Sequence, residues 1–221
     1  MLDTKNRYLQ IAFNDNLNSV YRILPLIPAD DRIMIEAGTP FIKREGMRGI
    51  AEIRNIWHGK IVADLKTADG AQEEVRLAFN AGANAATVLG SAPVETINFF
   101  ISTCKQLNMY SMIDMLGVEE PLKMMLRLKT PPNVVVLHKG RDEETTRGKV
   151  IKYKHINKIK SKYDVLISAA GGVDLREARS AIFNGANIVV VNIVAKSTPW
   201  TGIYDDADVA EIARHFLNTV E

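Results

Sequence analysis

Short apolar runs recur along the chain, each followed by a stretch with helical spacing. The runs are YLQIAF (8–13), RIMIEAG (32–38), KIVADL (60–65), AATVLG (85–90), YSMID (110–114), NVVVLH (133–138), DVLISAA (164–170) and NIVVVNIV (187–194), eight in all. Most are too continuously apolar for strands wetted on one face, and they predict strands buried on both. In PVETINFFISTCKQL (93–107), Ile97, Phe100, Ile101 and Cys104 fall at i, i+3, i+4 and i+7; Val209, Ile212, Ala213 and Phe216 repeat that spacing near the C-terminus. Strand–helix alternation predicts parallel strands with helical crossovers. FNAGANAATV (79–88) and FNGANIVVV (183–191) form a quasi-repeat in which a glycine is placed to end a helix in the left-handed conformation before the next strand. The eight units predict a single (β/α)8 TIM barrel domain over 1–221, compact beside the about 250 residues typical of that fold. The competing architecture is an open doubly wound sheet, but no GxGxxG follows the first strand.

Composition narrows the class of partner. The net charge of +2 is too small to predict a nucleic-acid or membrane partner. A single cysteine, Cys104, rules out an internal disulfide and fits a reducing, cytoplasmic setting. Its place on an apolar helix face predicts core packing. No signal-like segment opens the sequence, and no apolar run approaches the ~20 residues of a membrane span.

In a barrel of this kind the chemistry collects where strands end at the C-terminal face. Those ends carry Asn14 (strand 1), Glu36 (strand 2), Asp64, Lys66 and Asp69 (strand 3), Asp114 (strand 5), His138 with Arg141 and Asp142 (strand 6), and Gly171 and Gly172 (strand 7). Asp64 and Lys66 are two apart, so they point to one side of an extended strand end. A lysine between carboxylates keeps its proton, and the carboxylates keep their charge. Glu36 on the neighbouring strand could join Asp64 to hold a hard divalent cation such as Mg²⁺, or Mn²⁺, and such an ion can stabilise an enediolate oxygen. The bland alternative is a structural salt-bridge network at a strand end. His58 and His155 sit among exposed-looking polar residues, and His215 lies in the last helix. The lysines of KVIKYKHINKIKSK (149–162) accompany an apolar stripe of Ile156, Ile159 and Tyr163, which predicts a solvated helix face rather than a nucleic-acid patch. AAGGV could present backbone N–H groups to a phosphate where the next helix starts.

IEAGTPFIKREGM, IVADLKTADG and TVLG resemble the orotidine-monophosphate decarboxylase superfamily of barrels, and within it the 3-hexulose-6-phosphate synthase group. The likeness runs over nearly the whole chain. It implies a homodimer with shared active sites, Asp69 reaching into the partner's site, and Mg²⁺ near Glu36 and Asp64. It also implies a lyase reaction in which a metal-bound enediolate of a pentulose 5-phosphate adds to formaldehyde, or the reverse. A sister group decarboxylates 3-keto-gulonate 6-phosphate through the same kind of intermediate. Matched by position, Asp114 and Ala170 resemble the synthases, where the sister group carries glutamate and threonine. Arg141 instead resembles the decarboxylases, and His138 falls on the family's acid/base histidine.

Two departures stand out. The family ends strand 1 with an aspartate where this chain has Asn14. It ends strand 8 with a Gly-Arg or Gly-Gly pair that grips the substrate phosphate; the matching positions here are Asn192 and Ile193. Two cations lie near in sequence, Arg141 and Lys196, of which Arg141 is better suited to phosphate. The leading expectation is therefore aldol addition or cleavage of the hexulose-phosphate synthase type. Alternatives are a decarboxylase of the sister type, and a paralogue that binds a metabolite or protein partner without this catalysis.

Overall fold

The computed structural model describes residues 2–146, 148 and 150–220. Eight parallel strands close on themselves: β1 (Tyr8–Phe13), β2 (Ile33–Ala37), β3 (Lys60–Thr67), β4 (Ala85–Leu89), β5 (Tyr110–Asp114), β6 (Val134–His138), β7 (Leu166–Ala170) and β8 (Ile188–Val194). Each pairs with the next, and β8 returns to β1 through Tyr8↔Ile188 to Ala12↔Asn192. This is the (β/α)8 TIM barrel that the alternation predicts. All eight apolar runs fall on barrel strands with ends within two residues; β3 runs on through Lys66 and Thr67.

The helices are α1 (Leu17–Ile23), α2 (Thr39–Ile56), α3 (Ala71–Asn80), α4 (Val94–Gln106), α5 (Pro121–Met125), α6 (Arg141–Glu144), α7 (Ile156–Lys160), α8 (Leu175–Phe183) and α9 (Val209–Thr219). The stripe of α4 is buried in full, Cys104 included; burial also pushes the Cys104 thiol up to about 12, as suits an inert packing residue. Between β5 and β7 the helices shrink to four or five residues each. The lysine-rich segment becomes a 3₁₀ turn and α7, with Ile156 and Ile159 buried; Lys149 lies outside the described residues. His155 contradicts its exposed appearance: it is 3% exposed, drawn inward with that apolar stripe, whereas His58 and His215 are exposed.

Alternation along the strands builds two cores. Leu9, Ile11, Phe13, Ile33 and Ile35 point outward to the helices, while Tyr8, Ala12, Met34, Val62, Met112 and Val134 fill the barrel interior. The quasi-repeat has a structural cause. Gly82 and Gly185 each adopt φ +96°, a conformation costly for other residues. The asparagine two residues on then receives an amide near the start of the neighbouring strand: Ile61 N–H donates to Asn84 Oδ1 and Ile167 N–H to Asn187 Oδ1. A ninth strand, β9 (Ile203–Tyr204), lies outside the predicted set and pairs with Ile193 and Val194 at the end of β8. Among the described residues no helix is long and apolar enough to cross a membrane.

Candidate active site

Inward-facing positions change character along each strand. At the N-terminal end they are apolar, as in Tyr8, Met34, Val62 and Met112. Two residues further on, the same face carries Gln10, Glu36, Asp64 and Asp114, all buried. The barrel thus turns one register of side chains into a hydrophobic plug below and a polar floor above. Above that floor opens a cavity of about 390 Å³.

Its centre is a chain of charges. Lys66 Nζ donates to Asp64 Oδ2 at 2.8 Å and to Asp114 Oδ2 at 2.7 Å. His138 Nδ1 lies 2.8 Å from that same Asp114 oxygen. Strand β3 is not simply extended here. Its register with β4 shifts between Ala63 and Thr67, and Lys66 takes φ +47°. The irregularity is held by Thr87 Oγ1, which accepts from Lys66 N–H at 2.9 Å and donates to Asp64 Oδ1 at 2.8 Å. Thr39 Oγ1 caps the other oxygen of Asp64 at 2.7 Å. An unusual backbone conformation held by its neighbours at a cluster of charges is a mark of a functional site.

The electrostatics follow from burial and pairing. Burial alone would lower the Lys66 pKa, but Asp64 and then Asp114 override it and raise it, so the ammonium stays charged. Burial would raise Asp114, but His138 and Lys66 override it and hold it well below the usual carboxylate range. His138 is raised above its ordinary value because Asp114 outweighs burial. Glu36 lies next to Asp64; burial first, and the like charge of Asp64 second, push it up to about 7. Gln10 Nε2 donates to Glu36, while Gln10 Oε1 is buried without a partner.

The structure places the remaining expected residues as follows. Asn14, Ala170, Gly171, Arg141 and Asn192 all line the cavity. The two departures from the family pattern meet there: Asn14 Nδ2 donates to Asn192 Oδ1 at 2.9 Å across the β1–β8 seam. Ile193 is buried beneath β9, which takes up the end of β8. Arg141 stacks over the Trp200 ring, 5.3 Å from its centroid. Asp69 lies on the exposed turn after β3, away from the cavity lining. Lys196 does not reach back. It is exposed, with Nζ 3.5 Å from Asp206, because the chain leaves the barrel axis after Val194 to form β9. Gln10, Thr39, Thr87 and Glu144 line the cavity without having been expected there. For Gln10 and Thr87 a signal existed: each shares the inward parity of Glu36 and Asp64.

The sequence model of the Orotidine 5'-phosphate decarboxylase / HUMPS family matches residues 7–197. The chain belongs to this family. Within it, the chain is 37% identical over 215 residues to a bifunctional enzyme Fae/Hps of Methanosarcina barkeri, covering 96% of this chain and 52% of that one. It is 38% identical over 212 residues to the Fae/Hps of Methanocaldococcus jannaschii, covering 96% and 51%. The chain therefore spans about half the length of the curated relatives it matches. Among solved structures it resembles the 3-hexulose-6-phosphate synthase from Salmonella typhimurium, with a TM-score of 0.82 and 27% identity over 96% of this chain and 98% of that one. It shares the fold of KGPDC from Streptococcus mutans, with a TM-score of 0.74 and 20% identity over 97% of each chain.

Proposed function

We propose that this chain is a lyase of the 3-hexulose-6-phosphate synthase type, making or breaking the carbon–carbon bond between formaldehyde and a pentulose 5-phosphate through an enediolate. The observation that carries this reading is the run Glu36–Asp64–Lys66–Asp114–His138, placed side by side on the floor of one cavity. Asp114 engages His138 Nδ1, which leaves Nε2 as the ring nitrogen able to take a proton from the sugar carbon. The carbon then attacks formaldehyde, and the proton returns to the oxygen left by the former carbonyl. Lys66 is locked as an ammonium, so it acts as a hydrogen-bond donor to the developing oxyanion and not as the base.

Glu36 and Asp64 would hold a divalent cation, Mg²⁺ or Mn²⁺. Two adjacent carboxylates and the unpartnered Gln10 Oε1 form an all-oxygen donor set suited to a hard ion completed by water and substrate. Among the described residues no group of three or more His, Cys, Asp or Glu is arranged to hold a metal ion by itself. Bound there, the cation would supply positive charge for the oxygens of the reacting sugar.

Three expected results test the parts. Asp114→Asn removes the carboxylate that raises His138, so the His138 pKa should fall. Because His138 must be neutral to accept a proton, the acid limb of kcat/KM should move to lower pH, with a loss of about 10²-fold or more at neutral pH. An acid limb that stays in place would take His138 out of the base role. Arg141, poised on Trp200 at the mouth, is the cation assigned to the phosphate. Arg141→Ala should weaken binding of a pentulose 5-phosphate by roughly ten- to a hundredfold while sparing the unphosphorylated sugar; equal losses for both would count against it. Asp69, exposed in one protomer, is assigned to the neighbouring site of a homodimer. Mixing Lys66→Ala with Asp69→Ala subunits should regenerate one intact site per heterodimer. A verified heterodimer no more active than its parents would contradict shared sites.

A further inference from the structure

The end of the cavity that faces β7 is built differently from its floor. There β7 passes into Gly171 and Gly172, with φ +107° and +63°. A side chain on Gly171 would collide with the Lys139 carbonyl oxygen at 1.9 Å, so only glycine fits there, and its backbone lines the cavity. Backbone turns of this kind, with successive residues at positive φ, are suited to receiving an anion. An anion is already there. A Cβ built on Gly172 would meet Glu144 Oε2 at 3.1 Å. That oxygen is buried and has no hydrogen-bond partner.

Glu144 is held in place from the opposite side. It accepts a hydrogen bond from the Thr201 backbone N–H, and Lys139, Arg141 and His138 lie near enough to favour its charge, although burial outweighs them and raises its pKa. Arg141, three residues earlier on α6, is stacked on Trp200. The segment between β8 and β9 thus fastens α6 at two points, Trp200 and Thr201. That segment spans residues 195–202, and the family match ends inside it, at residue 197. The four-residue α6 carries the carboxylate, and the 195–202 loop holds it against the glycines.

We infer that Glu144 is a specificity-determining residue, an internal carboxylate that competes with the phosphate of the substrate for the Gly171–Gly172 end of the cavity. This rests on the sugar-phosphate reading of the cavity. Its consequence is that phosphate binding must displace Glu144, with α6 and the 195–202 loop shifting together. The native chain then discriminates less strongly between phosphorylated and unphosphorylated sugars than the same barrel with that end free. Two negative groups a few ångströms apart in a partly desolvated site repel by more than a factor of ten in affinity, so the effect is measurable.

Calorimetric titration of ribulose 5-phosphate and of ribulose into the wild type, Glu144→Gln and Glu144→Ala tests this, with melting curves to verify folding. Gln keeps the shape and removes the charge; Ala removes both. Both variants should bind ribulose 5-phosphate at least tenfold more tightly than the wild type, with ribulose affinity unchanged within about twofold. Folded variants that bind the phosphosugar no better than wild type, or that improve both ligands by the same factor, overturn the inference while leaving the proposed function standing. Failure of all three proteins to bind ribulose 5-phosphate overturns the sugar-phosphate reading itself, and this inference with it.

Discussion

Replacing Lys66 with alanine is expected to lower kcat/KM by about 10³-fold or more, the largest effect of any single substitution in the site. Two losses combine. The oxyanion loses its nearest ammonium, and Asp64 and Asp114 lose the cation that lies 2.8 and 2.7 Å from them. Asp114 has a side chain only 2% exposed, so water cannot replace that partner. Removing one member of such a buried pair costs about 3–5 kcal/mol. Set against a total stability of about 5–15 kcal/mol, this leaves the chain folded at 25 °C but melting roughly 6–20 °C lower. Activity should therefore be measured well below the new midpoint. Lys66→Arg should restore much of the stability and little of the activity, since a planar guanidinium cannot reproduce the ammonium between two carboxylates. An alanine variant within tenfold of wild type would remove Lys66 from the chemistry.

Glu36→Gln should move activity and stability in opposite directions. The buried Glu36 faces Asp64, and its value near 7 lies above that of an exposed glutamate. An acid whose folded value exceeds its unfolded one destabilises the folded chain once the pH passes both. At pH 8, in metal-free protein, that penalty is about 3 kcal/mol. Glutamine removes the penalty, so the metal-free variant should melt higher than wild type at pH 8 and no higher at pH 4. It also removes half of the assigned cation site, so activity should fall by about 10²-fold or more and cease to respond to Mg²⁺. Wild type dialysed against a chelator should lose activity and recover it with Mg²⁺. Full wild-type activity in excess chelator would reject the site.

The barrel was legible because its strands are buried on both faces, so they stand out as unbroken apolar runs, and because Gly82 and Gly185 mark the turns that feed them. The charged floor was legible for a related reason: a carboxylate that directly follows an apolar run has nowhere to go but the barrel mouth. What escaped depends on closure and on weak local patterns. Asn14 and Asn192 are 178 residues apart and meet only because β8 returns to β1. Gln10 and Thr87 sit inside apolar runs, where a single polar residue looks incidental until the inward parity is known. Lys196 was expected at the site from its nearness to β8, yet two residues of β9 divert the chain and leave it in solvent. Glu144 and Trp200 lie on a four-residue helix and a loop, elements too short to carry a periodic signal.

Whether the cavity joins formaldehyde to a sugar phosphate is decided by product analysis after mixing the purified chain with a pentulose 5-phosphate, formaldehyde and Mg²⁺. Formaldehyde should be consumed in a one-to-one ratio with the formation of a hexulose 6-phosphate, Lys66→Ala should abolish this, and no CO₂ should be released from 3-keto-gulonate 6-phosphate at a comparable rate. Release of CO₂ without formaldehyde consumption would assign the site to the decarboxylase branch, and turnover of neither substrate by folded, metal-loaded protein would contradict the lyase assignment.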